Sequence, residues 1–478
     1  MRLYVSLAIG LSLLAAKDTR ADTIVLKNGR RIVALSVVME GDKVRYLTSA
    51  GELVLPKSIV DHIEKGGPGQ MPVSPPTEAA DLAITPPSIE ASSANAAAES
   101  SAVHDGGVDR DFLAAVASEA RSGAPGANEK AAVAHHAVAQ LELSRGDMEH
   151  ALADERAALT FTPDDPLILL NVAYLHLRRS EYRQALDYLE RARRVAPKNA
   201  DVFKLAGWAY YGMNKLNQAV DEWQRALALR PDAEVQAALD KALRDKQEEE
   251  NYRENESSHF TLRYSGEAEP GLAREVLRAL EIHFSAIESE LNYTPPESIG
   301  VILYTQQAFA DITRAPGWVG ALNDGRIRVP VQGLKQLTPE LSRVLKHELT
   351  HSFIRAKTRG RAPTWIQEGL AQWMEGRRSE DAAAPLLHNY EEKKAKPLRE
   401  LEGPWMQMSS DQAAFAYAWA LANIEYIVRV DGMYDVDRIL ERIASGSTTE
   451  GAVRDVLHSD YGDLMQSTAQ YLRKTYLN

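Results

Sequence analysis

Two histidines separated by three residues, with a glutamate directly after the first, form the segment of this chain best suited to chemistry: His347-Glu348-Leu349-Thr350-His351. On a helix, residues four apart lie on the same face, so both imidazoles can contact one ion. Neutral imidazole suits Zn²⁺, and a catalytic zinc takes three protein ligands and leaves one position for water. A carboxylate beside the first ligand can reach that water. We therefore predict two zinc ligands and a general base in this segment.

A third ligand must come from elsewhere in the chain, and Glu368 in the segment WIQEGLA at 365–371 is the best candidate. A Thr-Pro pair at 338–339 predicts the start of the first helix, and Gly360 predicts its end. Pro363 breaks the chain before a second helix, which we expect to stop near Gly376. A short antiparallel return between the two helices would bring the glutamate against the histidine pair.

HELTH followed by WIQEGLA resembles the gluzincin zinc peptidases, and more narrowly their peptidase-MA-like domain. The resemblance implies that His347, His351 and Glu368 bind Zn²⁺ and that Glu348 is the general base. The predicted order of strand, helix, strand, helix and hairpin upstream of the first motif is also similar to the gluzincin catalytic domain. We therefore expect an α+β gluzincin-type metallopeptidase domain over 256–478.

The same resemblance implies a residue that steadies the oxyanion, because related gluzincins take a tyrosine or histidine from a helix after the third ligand. Tyr417, on a helix predicted over 415–430, fits this order and is our candidate catalytic residue. No local motif singles it out. Tyr426 and His388 remain alternatives, as does a role for Tyr417 in the core.

A strand beside the cleft pairs with the extended substrate in that family, and the segment 326–331 is the candidate here. It follows an Asp-Gly turn at 324–325, which predicts a hairpin. The alternative is an ordinary edge strand that arginine and proline protect from pairing.

Composition limits the classes of protein to which the chain can belong. Its 478 residues suggest about three domains. With 45% hydrophobic and 26% charged residues, the chain can form sizeable cores. The net charge of −12 argues against nucleic acid or an anionic membrane as partner. Since the chain has no cysteine, disulfides, cysteine-bound zinc and a thiol nucleophile are excluded.

The first 21 residues predict export. A short basic start precedes an apolar run at 5–16, which is too short to span a bilayer, and cleavage is expected after Ala16 or Ala21. We predict a signal peptide over 1–21 and a periplasmic or secreted mature protein without a membrane span. An uncleaved membrane anchor is the alternative.

The next two segments have contrasting compositions. Residues 22–65 alternate between apolar and polar side chains and contain an Asn-Gly pair at 28–29, which predicts hairpins. We expect a small all-β, SH3-like module that binds a peptide or glycan or serves as a docking platform. Residues 66–107 are rich in Pro, Ala, Ser and Glu, a composition typical of a disordered linker.

Residues 108–255 contain an internal repeat. Pro163, Pro197 and Pro231 recur at equal intervals that match the tetratricopeptide period, and alanines keep the same spacing. We therefore expect an α-helical tetratricopeptide array with capping helices, and a protein partner bound along its concave face. Four histidines of the array are expected to be surface or groove residues and not metal ligands: His135, His136, His150 and His176.

Together these features predict a multidomain, exported zinc peptidase whose repeats recruit a protein partner or peptide substrate. Two alternatives remain open at the level of sequence. One is a periplasmic scaffold with a vestigial peptidase domain. The other is a zinc hydrolase that cleaves the peptides of the cell wall.

Overall fold

The computed structural model describes residues 22–27, 31–34, 36–48, 51–64, 84, 86–87, 96–104, 106–145, 147–265, 270–305, 309, 321–331, 334–405 and 408–477. The predicted signal peptide at 1–21 and the Asn-Gly turn at 28–29 lie outside this range. In the described part of the chain, no helix combines the length and the apolar character that a membrane span requires.

The described residues of the N-terminal module form six short strands in two antiparallel sheets, as alternation of apolar and polar residues predicts. One sheet has the order β2-β1-β6 and the other β3-β4-β5. Ile24, Val44, Tyr46 and Val60 form its small core. The strands are β1 Asp22–Leu26, β2 Arg31–Ala34, β3 Ser36–Glu40, β4 Lys43–Thr48, β5 Gly51–Pro56 and β6 Val60–Glu64.

The helical part begins inside the segment that composition assigns to a linker. Helix α1, Ala96–Ala102, and the paired strands β7 Val103–His104 and β8 Gly107–Val108 all precede residue 109. Ala102 is fully buried against α3. The linker prediction over 66–107 is therefore wrong for 96–104 and 106–107. The composition suggested that the alanines of this segment are exposed to solvent, but their small side chains allow close packing against the array.

An array of paired antiparallel helices follows. Helices α4, α6 and α8 begin at Met148, Tyr182 and Leu216, at the same interval as the three prolines. Each predicted proline lies two residues beyond the end of one of these helices, where it cannot continue the helix. The helices are α2 Arg110–Arg121, α3 Ala127–Ser144, α4 Met148–Phe161, α5 Pro166–Arg178, α6 Tyr182–Val195, α7 Ala200–Gly212, α8 Leu216–Leu229 and α9 Ala233–Glu249.

In the described part of the C-terminal domain, five strands form a sheet in the order β12-β13-β11-β10-β9. Its three inner strands are parallel and its two outer strands are antiparallel to their neighbours. The sheet begins three residues before the predicted domain boundary at 256, because β9 already pairs with β10. The strands are β9 Arg253–Glu256, β10 Phe260–Tyr264, β11 Ile299–Tyr304, β12 Leu322–Asn323 and β13 Ile327–Pro330.

Helices cover this sheet and continue to the end of the described chain. Edge-to-face contacts join Phe260 of β10 to Phe284, and Phe284 to Phe353, with ring centroids 5.8 and 4.8 Å apart. These rings anchor the histidine-bearing helix on the sheet. The helices are α10 Pro270–Leu291, α11 Pro339–Thr358, α12 Thr364–Met374, α13 Ala383–Glu391, α14 Ser410–Val430, α15 Met433–Ala444, α16 Thr449–Leu457 and α17 Tyr461–Leu472.

The prediction of an edge strand at 326–331 is wrong. Strand β13 lies between β11 and β12, and all four of its residues are buried. Its two arginines contact the last helix of the repeat array: Arg328 pairs with Asp245 of α9 at 2.7 Å, and Arg326 pairs with Glu249 at 2.5 Å. The arginines therefore join two parts of the molecule, while the two-residue strand β12 forms the edge.

Candidate metal centre

Helix α11 presents the two histidines on one buried face. The Thr338 hydroxyl accepts a hydrogen bond from the amide of Leu341 at 3.0 Å, and Pro339 occupies the first helical position. The Nε2 atoms of His347 and His351 are 3.2 Å apart, and both side chains are buried. The predicted start of this helix and the predicted side-by-side placement of its histidines are therefore observed.

Helix α12 brings Glu368 to the same point. Its Oε2 lies 3.5 Å from His347 Nε2, and its Oε1 lies 3.7 Å from His351 Nε2. Among the described residues, this trio is the one His, Asp or Glu cluster whose ligand atoms all lie within 4.8 Å of one another. Within that same part of the chain, neither oxygen of the fully buried Glu368 carboxylate has a hydrogen-bond partner.

The donor set fits a zinc ion. Zinc in tetrahedral coordination has nitrogen and oxygen ligands at ~2.0–2.2 Å, which separates the donor atoms by roughly 3.3–3.6 Å. The two histidine Nε2 atoms are 3.2 Å apart, and Glu368 approaches each ring with a different oxygen, at 3.5 Å for His347 and 3.7 Å for His351. A buried carboxylate is costly unless a positive partner compensates it. These three residues could therefore hold a divalent cation together.

Packing against helix α14 fixes the position of Glu368. A Cβ atom at the neighbouring Gly369 would lie 2.4 Å from the carbonyl oxygen of Ala420, so only glycine permits this helix contact. The amide nitrogen of Gln372 donates to the carbonyl oxygens of Glu368 and Tyr417 at 3.1 and 3.0 Å. The glycine of the sequence motif therefore serves close helix packing.

Glu348 is buried beside the cluster without belonging to it. Asn323 at the sheet edge donates from Nδ2 to the main-chain carbonyl of Glu348 and to the hydroxyl of Ser352, both at 2.7 Å. Besides burial, the negative charge of Glu348 raises the pKa of Glu368 and of Tyr417.

Glu375 is a site residue that the sequence analysis missed. Its Oε1 lies 3.6 Å from Nδ1 of His347, on the side of the ring opposite the cluster, and 2.6 Å from Nε of Arg377. At 3.6 Å the contact with His347 is an ion pair and not a hydrogen bond, and the carboxylate attracts the Nδ1 side of the imidazole by its charge. The signal was present in the sequence, because seven residues after Glu368 is two helical turns and returns to the same face.

Burial and neighbouring charges give the site residues unusual pKa values. Burial lowers the pKa of His347, but the carboxylates of Glu375 and Glu368 outweigh it and raise this pKa to about 10. Burial and the charge of His347 hold the pKa of His351 well below its usual range. Burial raises the pKa of Glu368 to about 7, although His347 opposes the shift. Such shifts are typical of functional sites.

Tyr417 on α14 is a buried core residue that packs edge to face on Trp405, with ring centroids 4.9 Å apart. Burial raises its pKa well above 10, and the charges of Glu368 and Glu348 raise it further. The phenol therefore stays protonated and can act as a donor. The two alternatives lie elsewhere: Tyr426 packs against Tyr471 with ring centroids 6.0 Å apart, and the side chain of His388 is 73% exposed.

The four histidines of the repeat array each contact a carboxylate. His135 pairs with Asp154 at 2.6 Å and His136 with Glu155 at 2.8 Å, both on the next helix. His176 is fully buried, so its expected position at a surface or in a groove is wrong. The remaining pairs are His150 with Asp147 at 2.7 Å and His176 with Glu181 at 2.6 Å.

Comparison with known proteins identifies the domain that carries this centre. Residues 297–474 match the sequence profile of the Peptidase MA superfamily. This segment contains the histidine helix and Glu368, so a Peptidase MA superfamily domain occupies this part of the chain. The match suggests protease-like hydrolase activity for this domain.

Other comparisons are less informative. No curated protein matches the chain. A solved structure described as a MamA RS-1 ArsTM double mutant is 22% identical and covers 28% of this chain and 74% of its own, with a TM-score of 0.25. A mutant of the Thermobaculum terrenum O-GlcNAc transferase is 14% identical and covers 77% and 98%, with a TM-score of 0.21. TM-scores of this size do not establish a shared fold.

Proposed function

We propose that this protein is an exported, zinc-dependent peptidase of the gluzincin type. The observation that carries the proposal is the convergence of His347, His351 and Glu368 within 4.8 Å, with the buried Glu348 beside them. The superfamily match over 297–474 supports peptide-bond hydrolysis as the reaction. The apolar run at 5–16 supports export through a signal peptide over 1–21, to the periplasm or beyond.

Each residue of the site would have its own role in peptide hydrolysis. His347, His351 and Glu368 would hold the zinc ion, which when bound polarises the scissile carbonyl and lowers the pKa of water to about 7. Glu348 takes the proton of the attacking water and passes it to the leaving amine. Tyr417 donates a hydrogen bond to the carbonyl oxygen as this oxygen becomes negative.

The upstream modules would supply protein recognition. The constant interval between the starts of α4, α6 and α8 supports a tetratricopeptide array, and such arrays bind protein partners along a concave face. We further propose that the β module over 22–65 is SH3-like and serves as a docking platform. The peptidase domain would then act on a protein that the array holds nearby.

The decisive experiment is Glu348→Gln in the full chain. Glutamine keeps the size and hydrogen bonding of the side chain but cannot accept the proton of water, and general bases typically contribute ~10²–10⁴-fold. Hydrolysis of a broad peptide library should therefore fall by that factor, while the zinc content measured by mass spectrometry stays near that of the parent. Glu340→Gln, on the exposed first turn of the same helix, is the matched control and should keep full activity.

Ligand substitutions test the metal centre separately. His351→Ala removes one of three donors, so zinc should be lost on dialysis. Glu368→Gln should also weaken zinc binding, because a neutral amide replaces an anionic ligand. Full zinc occupancy in His351→Ala would place the metal elsewhere and reject this centre.

The same assays separate the two other functions considered. If the parent and Glu348→Gln both bind zinc and a protein partner but neither cleaves any peptide, the protein is a scaffold. Turnover of cell-wall muropeptides in preference to proteins would assign the substrate to the cell wall. Equal peptide cleavage by the parent and Glu348→Gln would reject the mechanism.

A further inference from the structure

Residues 84–87 belong to the proline-rich segment whose composition predicts a linker, yet part of this stretch packs against the fold. Ile84 is partly buried and packs against the hydrophobic core of the repeat array. Pro87 is buried, while the neighbouring Pro86 is exposed. Because proline residues are mostly exposed in proteins, burial of one in such a stretch requires a partner surface. The segment is therefore docked on the folded part of the chain.

The proline-rich segment cannot provide this partner surface by itself. Residues 66–95 are rich in proline, alanine and serine and contain few large apolar side chains. A stretch of this composition does not bury enough apolar surface to offset the entropy cost of ordering its backbone. The contact of Ile84 with the array core supplies the burial instead. The repeat array therefore holds a short segment of its own chain in the way that it would hold a peptide ligand.

The surface beside Ile84 lies at the junction where the array meets the C-terminal domain. Ile84 lines a cavity of about 330 Å³ together with the aromatic side chains of Tyr182 and Trp208 from the array. The C-terminal domain contributes the turn of the β12–β13 hairpin at 324–326 and the residues at 359–361 that follow helix α11. The docked segment therefore lies beside both domains.

The chemistry of the segment matches that of the cavity wall. The rings of Pro86 and Pro87 fix the backbone angle φ, and a residue before proline is also restricted to extended conformations. Such a segment loses little conformational entropy when it binds. Grooves lined by aromatic side chains are the surfaces that typically bind segments of this kind, and the isoleucine adds apolar contact area. The junction therefore suits an extended segment in which an isoleucine precedes two prolines.

The N-terminal module also lies against the C-terminal domain. Its strand β5 contacts helix α11, which carries the two histidines of the metal centre. Ile84 lines the same cavity as Arg355, near the end of this helix. The segment is therefore tethered to folded parts of the molecule on both sides. Because tethered segments reach effective concentrations in the millimolar range, a free peptide competes with residues 84–87 only at a comparable concentration.

We propose that the junction between the array and the C-terminal domain is a binding site for an extended Ile-x-Pro-Pro segment, and that residues 84–87 of the chain itself occupy it. The docked segment holds the N-terminal β module beside helix α11. A partner protein that carries a segment of the same chemistry would have to displace it. This site involves neither zinc nor Glu348, so it goes beyond the proposed peptidase activity and stands independently of it.

Single cysteines test the docking, because the chain contains no other thiol. The reaction of Ile84→Cys, Pro86→Cys and Pro87→Cys with a maleimide is followed by mass spectrometry. The thiols at positions 84 and 87 should react at least ~tenfold more slowly than the thiol at the exposed position 86, because the reagent reaches them only when the segment opens. In urea the three rates should become equal. Equal rates at all three positions in the folded protein would overturn the proposal.

A synthetic peptide of residues 80–90 tests whether the junction is a site that can exchange its occupant. At millimolar concentration the peptide should displace the tethered segment and accelerate labelling at positions 84 and 87 severalfold. The same peptide with aspartate in place of Ile84 is the matched control and should leave the rates unchanged. If the two peptides act alike, the site does not recognise the isoleucine and the proposal fails.

A substitution in the cavity wall assigns the docking to the junction. Tyr182→Ala removes an aromatic ring beside Ile84 and should raise the labelling rate of Ile84→Cys toward that of Pro86→Cys. Tyr434→Ala removes a tyrosine that is 73% exposed and serves as the control, which should keep the slow rate. A slow rate at position 84 in both variants would reject the junction as the docking site.

Discussion

His347 lies between two carboxylates that have different roles. Glu368 approaches Nε2 on the side of the ligand cluster, while Glu375 approaches Nδ1 on the other side of the ring. The first is suited to hold a cation with the histidine, and the second attracts the Nδ1 side of the ring by its charge. Binding of a cation would replace the proton on Nε2, while a proton on Nδ1 stays next to Glu375.

Glu375→Gln should therefore weaken zinc binding without abolishing it. The amide keeps the contact with Nδ1 but no longer stabilises the partial positive charge that the imidazole acquires when it binds zinc. Loss of such a supporting group typically costs 10–100-fold in metal affinity. Titration against a competing chelator measures the change. Glu380→Gln, an exposed glutamate nearby, should keep the parent's affinity. An unchanged affinity in Glu375→Gln would show that the contact with His347 does not support metal binding.

At the scale of elements, the contact between α12 and α14 decides where Glu368 lies. Gly369→Ala should push these helices apart, because the added methyl group would meet the carbonyl oxygen of Ala420 at 2.4 Å. Overpacking of this kind costs ~1–3 kcal/mol, so Tm should fall and zinc affinity should fall with it. Gly271→Ala, where nothing lies within 4 Å of the added carbon, is the control for both measurements.

The first helix pair of the array contains a buried carboxyl that should make stability depend on pH. Burial raises the pKa of Glu142 from 4.5 to about 7, and Asp154 adds to the shift while His150 opposes it. Because the folded protein binds this proton more tightly than the unfolded chain does, the stabilisation is complete below pH 4.5. It is lost as the pH rises to about 7.

Glu142→Gln should consequently raise Tm at pH 8 but not at pH 4.5. A gain of about 2–4 °C corresponds to ~1 kcal/mol in domains of about this size. Thermal unfolding followed at both pH values provides the measurement, and Glu129→Gln on the exposed face of the same helix provides the control. An equal effect at both pH values would mean that the ionisation of Glu142 is not responsible.

At the scale of the whole molecule, a buried ionic network joins the repeat array to the sheet of the C-terminal domain. Asp245 of α9 accepts two hydrogen bonds from Arg328, at 2.7 and 3.1 Å, and both side chains are fully buried. The same hairpin carries Asn323, which bonds to the carbonyl oxygen of Glu348 at 2.7 Å. A continuous set of contacts therefore connects the last array helix with the helix of the metal centre.

In the variant Asp245→Asn, the repeat array and the C-terminal domain should unfold in two separate transitions. Removing one partner of a buried ion pair leaves the other charge uncompensated, which typically costs ~3–5 kcal/mol. Differential scanning calorimetry should show one shared transition in the parent and two transitions in the variant, the first at lower temperature. Asp240→Asn lies on the same helix with an exposed side chain and should resemble the parent. A parent-like single transition in Asp245→Asn would show that the network does not couple the domains.

Features that depend on local geometry could be predicted from the sequence alone. Helical periodicity places His347 and His351 on one face wherever the helix lies, and the Thr-Pro pair at 338–339 starts that helix through its own hydrogen bond. The regularly spaced prolines of the array end successive helices for the same local reason. Glu368 was also predictable, because a short return between two antiparallel helices leaves few ways for them to meet.

Features that depend on partners far along the chain could not be predicted from the sequence and became visible in the folded structure. The sequence suggested that Arg326 and Arg328 protect an exposed strand edge from pairing. Both arginines are buried instead, because Asp245 and Glu249, far earlier in the chain, compensate their charges. No local sequence pattern predicts such a distant partner. The cavity that Trp208 and Tyr211 line on one side and residues 324–326 on the other likewise exists only because the array packs against the C-terminal domain. Charge compensation and cavity lining result from how domains meet, and the sequence of either domain alone does not contain that information.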